Sequence, residues 1–235
     1  LSNIASESGK IKRVVVSRNG AEESIDCAAL ILATGQGARD TYEMLLNSGV
    51  LLAPKPFAVG VRVEHPQSMI DTAQFGEMAG NPRLGAAEYR LTGQSGERGV
   101  YTFCMCPGGS VIASASQQGE VVVNGMSNFA RNAKNANAAI VVQVRTDDFA
   151  ADPLGGVRFQ REMEQAAFLA GGANACAPAS TIGAFMRREK PRAFGAVAPS
   201  YRPGVTAANL WKVLRPCVAA GVRAGFPRGA PAPDV

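Results

Sequence analysis

Residues 56–66 read PFAVGVRVEHP, and the alternation inside them decides between two fold classes. Phe57, Val59, Val61 and Val63 take every second position, with Ala58, Gly60, Arg62 and Glu64 between them. Successive side chains of a strand point to opposite faces, so a period of two predicts a strand with one buried face. Three more strand candidates follow at 99–106 (GVYTFCMC), 110–116 (SVIASAS) and 120–127 (EVVVNGMS). They are separated by PGG and QQG, where Gly108–Gly109 and Gln118–Gly119 are short turn signals that predict antiparallel hairpins. AIVVQVR at 139–145 is a further strand. Between these runs, residues 67–98 are polar and Gly-rich and predict helical fragments and surface loops, and 128–138 predict an irregular turn.

Helical spacing comes later. Phe159, Met163, Ala167 and Ala170 recur at helical intervals over 156–171, and Gly171–Gly172 is a stop signal. A second helical stretch begins near Thr206, with Leu210, Val213, Leu214 and Val218 as its stripe, and Pro216 should kink or restart it. Strands first and helices afterwards is segregation rather than βαβ alternation. The expected class is α+β, a mostly antiparallel sheet with packed helices.

Upstream of Pro54 and Pro56 the character differs, and the two prolines mark a boundary. Residues 11–16 (IKRVVV) predict a strand, Arg18, Asn19 and Gly20 a turn, and 24–34 a return strand. Asp40 is placed to cap a short helix, TYEMLLNSG, that stops at Gly49 and has Tyr42, Met44, Leu45 and Leu46 for its apolar face. The expected organisation is a closing piece of an α/β domain at 1–53, a main body at 54–224, and a disordered Pro/Gly/Ala tail without core contacts at 225–235.

Composition narrows the function. The 235 residues are 46% hydrophobic, ample for a core, and their formal charge of +5 is spread among interspersed acids. The densest basic run, Arg187, Arg188, Lys190 and Arg192, is broken by Glu189 and Pro191 and predicts a solvated loop. Nucleic acid is therefore not the expected partner, although an anionic ligand fits. Five cysteines argue against a disulfide framework, and no run reaches the roughly 18 apolar residues of a membrane span. The start lacks the features of a signal peptide, so a cytoplasmic protein that does not enter the membrane is expected. His65 is the single histidine, which excludes zinc sites built on His pairs and leaves it the reading of a strand-end residue.

Three stretches carry candidate chemistry. GQGARD (35–40) follows an apolar run and precedes a helix, as a dinucleotide loop would, but Asp40 stands where a third glycine is needed. In FCMCPGG (103–109), Cys104 and Cys106 lie two apart and on a regular strand would face the same side. They read as structural thiols, as a ligand-facing wall, or as a redox or metal pair, and Gly108 and Gly109 would permit close approach of a flat ligand. VVVNGMSN (121–128) ends in Asn124, Ser127 and Asn128, which suit either a turn or hydrogen bonds to a ligand.

The order ILATGQGARDTYEML, KPFAVGVRVEHPQSMID, GVYTFCMCPGG, VVVNGMSN, NANAAIVV, GVRFQREME, APSYRPGV resembles the uncharacterised bacterial FAD-dependent dehydrogenases over about residues 25–222. The resemblance implies that Ala33, Thr34 and Gly35 form the family's ATG element, a cofactor-binding strand end, and that 54–224 is a substrate domain. It further implies a chain without the family's Gly-rich FAD loop and returning flavin segment, so FAD would belong to an intact parent and this chain alone would be inactive. The expected function is thus the substrate-domain fragment of an FAD-dependent oxidoreductase acting on an unknown small molecule. Cys104, Cys106, Gly108, Gly109, Asn124, Ser127 and Asn128 would face the ligand, and no metal is expected. The alternative is a non-catalytic module that binds an anion or nucleic acid.

Overall fold

Asn19 and Gly20 both take positive φ, 52° and 82°, and the turn they make organises the first sheet. Two successive left-handed residues match the twist of a tight hairpin, so strands β2 (Lys10–Arg18) and β3 (Ala21–Asp26) pair antiparallel. Ser8 and Gly9, also at positive φ, turn β1 (Asn3–Glu7) onto the other edge of β2. The structure is a computed structural model and describes residues 1–226. It divides into two units, one of Leu1–Lys55 with Thr146–Phe159 and one of Pro56–Arg145 with the remainder.

In the first unit, β3 stops at Asp26, opposite Arg13 of β2, and the expected strand over 24–34 is not formed beyond it. Extended backbone needs a neighbouring ladder. Among the described residues 28–34 have none, and Ile31 stays 91% exposed. Helix α1 (Arg39–Asn47) begins two residues earlier than expected. Its cap is Ala38 with no side-chain bond, while Asp40 sits inside the first turn and accepts from its own neighbour, Thr41 N, at 2.9 Å. Of the expected apolar face only Met44 is buried, and the helix closes as expected at Gly49, φ +76°.

The second unit is built on a sheet of order β4–β9–β6–β5, antiparallel throughout. Its strands are β4 (Phe57–Pro66), β5 (Thr92–Ser95), β6 (Arg98–Cys106) and β9 (Asn135–Val144); helix α2 (Gln67–Phe75) follows β4. The strand read from 56–66 is therefore present, but every one of its residues is half-buried instead of alternating. It pairs on one edge only, and the buried row lies on β9, where Ala136, Ala138, Ile140, Val142 and Val144 are shielded. The turn at Pro107–Gly108 carries the chain out of this sheet. Strand β7 (Gly109–Ala113) pairs with β8 (Val123–Ser127) in a separate ribbon, so the expected hairpin between 99–106 and 110–116 is not made, while the one around Gln118–Gly119 is.

Helix α3 (Gly155–Gly171) matches its expected span. The second helix does not begin near Thr206. Strand β10 (Ala177–Ala179) pairs there in parallel with β11 (Val205–Ala207), and the short helix α4 (Ile182–Arg187) lies between them in sequence. Helix α5 (Pro216–Gly225) starts at Pro216, whose missing N–H costs nothing at the first helical position. α5 covers one face of the sheet with Val218, Ala219 and Val222, all fully buried, against Val142 of β9. Gly225 and Phe226 take part in this packing: a Cβ on Gly225 would lie 2.9 Å from Val100, and Phe226 sits edge-on to Phe185. The rest of the expected tail, 227–235, lies outside the described residues. The class is mixed α+β with mainly antiparallel sheets.

Candidate functional site

Pairing parity separates the two faces of the main sheet. Directly opposed residues of antiparallel strands point the same way. Val59, Val61 and Val63 oppose Val142, Ile140 and Ala138 and share the face covered by α5. Arg62 and Glu64 oppose Ala139 and Asn137, and Phe103 of β6 also opposes Ala139. These side chains therefore meet on the other face, beside the β7–β8 ribbon.

Arg62 is the hub of that face. Its Nη1 donates to Asn137 Oδ1 at 2.7 Å and to the Cys104 carbonyl at 3.1 Å, and its Nη2 donates to Asn124 Oδ1 at 3.1 Å. Gly125 makes the convergence possible, since a Cβ there would lie 2.2 Å from Asn137 Oδ1 and 2.3 Å from Arg62 Nη1. Arg62 Nε and Asn137 Nδ2 are buried without a hydrogen-bond partner. On the same face Phe103 and Met126 are 63% and 60% exposed, an apolar rim to a polar centre.

The two cysteines are split by the backbone. β6 carries a bulge between Phe103 and Cys106, and Cys104 sits in the left-handed region at φ 48°. The regular-strand expectation that both thiols face one side is thus overturned: Cys104 is exposed and Cys106 buried. Cys106 Sγ donates to the Cys104 carbonyl at 3.3 Å. Burial, and then the neighbouring Cys104, push the Cys106 thiol pKa up, so it stays protonated at neutral pH.

Glu64 is committed elsewhere. Its two carboxylate oxygens accept from Ser200 N at 3.1 Å, and Oε1 also takes Asn135 Nδ2 at 3.0 Å. His65 meets Tyr89, Nε2 to OH, at 2.7 Å. Burial lowers the imidazole pKa and raises the phenol's to about 12, with Arg62 pulling the phenol the other way. Both partners are consequently neutral near pH 7.

The remaining sequence candidates serve the turn that holds this face in place. A Cβ on Gly108, φ +47°, would lie 1.8 Å from the Arg131 carbonyl, and Gly108 N donates to Gln67 Oε1 at 2.7 Å. A Cβ on Gly109 would lie 2.6 Å from the Met126 carbonyl. The close approach these glycines permit is to the chain's own backbone. Ser127 Oγ donates to the Pro107 carbonyl at 2.7 Å, and Asn128 Nδ2 to Asn132 Oδ1 at 3.0 Å. Cys104, Cys106 and Asn124 thus gather at Arg62, while Gly108, Gly109, Ser127 and Asn128 brace the surrounding loops. Ala33, Thr34 and Gly35 belong to the first unit and are exposed, Gly35 at φ +82° with open space where a Cβ would be. Among the described residues no group of three or more His, Cys, Asp and Glu is placed to hold a metal ion, and no helix is long and apolar enough to cross a membrane.

Arg62 and Asn137 do not stand out as candidates in the sequence. The available signals are a lone cation inside VGVRVEH and two asparagines at every second place in NANA, polar side chains on one face of otherwise apolar strands.

Two comparisons bear on this arrangement. The sequence model of a family described as "FAD-dependent protein, C-terminal domain-like" matches residues 56–230. A protein of Clostridium beijerinckii, described as uncharacterized, is 46% identical over 229 residues. That alignment covers 96% of this chain and 42% of the relative, so the chain spans less than half the length of the protein it matches.

Proposed function

The chain belongs to the FAD-dependent protein, C-terminal domain-like family, and from that premise we propose that it is the substrate-side part of an FAD-dependent oxidoreductase. The observation that carries the reading is the Arg62 face: a polar, hydrogen-bonding centre inside an exposed apolar rim on a rigid sheet. Flat ligands are held by such a combination, with apolar contact to the ring and a few placed donors to orient it. FAD, when bound, supplies hydride transfer. The work left to these residues is to orient the substrate, exclude water and set the local charge.

The residues present fit the two parts of FAD differently. The rim of Phe103 and Met126 with the donors of Arg62 suits a ring system. The pyrophosphate is another matter, because residues 28–34 form no strand leading into Gly35–Gly37 and the strand–loop–helix context of a phosphate loop is missing. The phosphates would then be held by a longer polypeptide of the kind the Clostridium relative represents. FAD binding by this chain alone is accordingly expected to be weak or absent.

The test is the visible absorption spectrum after excess FAD is added and unbound ligand removed, taken for this chain and for the full-length polypeptide that carries it. A flavin band on the longer polypeptide, lost or much reduced on this chain, supports the proposal. No flavin on either would overturn it. Cys106→Ser in the longer polypeptide then probes the wall: an unchanged flavin spectrum, reduction rate and substrate affinity would remove Cys106 from the ligand-facing set.

A further inference from the structure

The charge of Arg62 is uncompensated. Its guanidinium is half-buried, yet all three of its hydrogen-bond acceptors are neutral oxygens, from Asn137, Asn124 and the Cys104 backbone. Among the described residues no carboxylate lies within ion-pair reach of it. Glu64, two positions along the same strand, is held by Ser200 and Asn135 instead. A buried or half-buried cation ordinarily acquires an anionic partner, because neutral dipoles only partly replace the hydration it gives up. This one is also fixed in orientation by three acceptors, and its Nη2 edge faces Asn124, an exposed residue, so the edge is reachable from solvent.

Extending the reading above, we propose that Arg62 is an anion-recognition residue whose Nη2 takes the carboxylate, or a comparable compact oxyanion, of a small ligand. The geometry leaves Nη2 for it: both hydrogens of Nη1 go to Asn137 and the Cys104 carbonyl, and Nε is buried, so a carboxylate is met by Nη2 in a charge-assisted hydrogen bond. Asn124 is the gate residue, since its Oδ1 occupies the Nη2 donor and can give way to a stronger, charged acceptor. The apolar rim of Phe103 and Met126 would take the uncharged part of the ligand. The anion has two possible sources, the substrate itself or the negative charge that a flavin acquires on reduction.

Asn124→Asp is the decisive variant. It is isosteric, and it puts a carboxylate where an amide oxygen already sits 3.1 Å from Arg62 Nη2, so the protein supplies its own anion. The experiment uses the full-length polypeptide, with calorimetric titration of benzoate and of its neutral counterpart benzamide, and potentiometry of the bound flavin. If the source is the substrate, benzoate binds saturably and benzamide at least about tenfold more weakly. Asn124→Asp and Arg62→Gln then each weaken benzoate by at least about tenfold, a loss expected when a charge-assisted pair is removed. If the source is reduced flavin, those two variants lower the flavin midpoint potential and leave benzoate unaffected. Either result supports the proposal. It is overturned if Asn124→Asp keeps both benzoate affinity and flavin potential at their original values, or if benzamide binds as well as benzoate and the flavin potential does not move in either variant. Asn124→Asp retains the hydrogen bond and should not lower the thermal midpoint, which guards against Arg62→Gln simply failing to fold. Should the polypeptide take up no flavin, the oxidoreductase reading fails while the benzoate titration still reports on Arg62.

Discussion

Gly125 and His65 show how much a single residue governs on the Arg62 face. Gly125→Ala would press a methyl into Arg62 and Asn137, at 2.3 and 2.2 Å from their polar atoms. Both are pinned by hydrogen bonds, so overpacking should cost roughly 1–3 kcal/mol, read as a lower denaturant midpoint with an unchanged m-value. His65 imposes a pH dependence. Burial holds its pKa in the folded state below the ordinary 6.5, so the unfolded chain binds the proton more readily. Its contribution to stability is complete above that ordinary value and drains as pH falls through it toward the folded-state pKa. The thermal midpoint should therefore drop between about pH 7.5 and about pH 5.5, and His65→Gln should show a shallower drop. An equal drop in both proteins would remove His65 as a cause.

At the scale of elements, α5 and β9 meet through a glycine. A Cβ on Gly221 would lie 2.5 and 2.6 Å from the two methyls of Val142, a side chain only 1% exposed. Valine is stiff at χ1 and cannot turn aside. Gly221→Ala gains about 1 kcal/mol in helix propensity but loses roughly 1–3 to overpacking, a net destabilisation of about 1 kcal/mol. Urea titration reads it, and a stabilised variant would mean that α5 can shift on the sheet. The bulge in β6 belongs to this scale too. One left-handed residue, Cys104, converts a same-side cysteine pair into one exposed and one buried thiol and aims the Cys104 carbonyl at Arg62.

For the whole molecule, the two units differ in how their backbone is secured. All six residues of β3 are exposed, and residues 28–34 have no ladder partner among the described residues, whereas β9 is paired on both sides and largely buried. Protection follows burial and pairing. Amide hydrogen exchange read by mass spectrometry should label 28–34 at once and β1–β3 next, with β9 labelled last. Comparable rates for β3 and β9 would contradict this order. Charge also acts at this scale. Arg13, Arg131, Arg145, Arg158, Arg161, Arg187 and Arg215 each pair with an acid, which weighs against a concentrated basic face for nucleic acid.

Local pattern was enough for the elements whose signals are local. The period-two run at 57–66, the Asn19–Gly20 turn, the span of α3 and the stop at Gly49 depend on alternation, helical spacing and glycine, all readable within a dozen residues. The segregation of strands from helices was legible on the same basis, and with it the α+β class. Three features were not. The strand expected at 28–34 fails because its hydrogen bonds would need a neighbour that no local pattern guarantees. β6 and β7 part company because Gly108 and Gly109 pack against Arg131 and Met126, residues far along the chain. The Arg62 cluster arises only when β4 pairs with β9 and the β7–β8 ribbon settles beside them, bringing Arg62, Asn124 and Asn137 together across 75 positions of sequence. Periodicity says which face a residue takes within its own strand. Which faces meet is set by pairing and packing among distant segments, and the charge of Arg62 acquires its chemical meaning there.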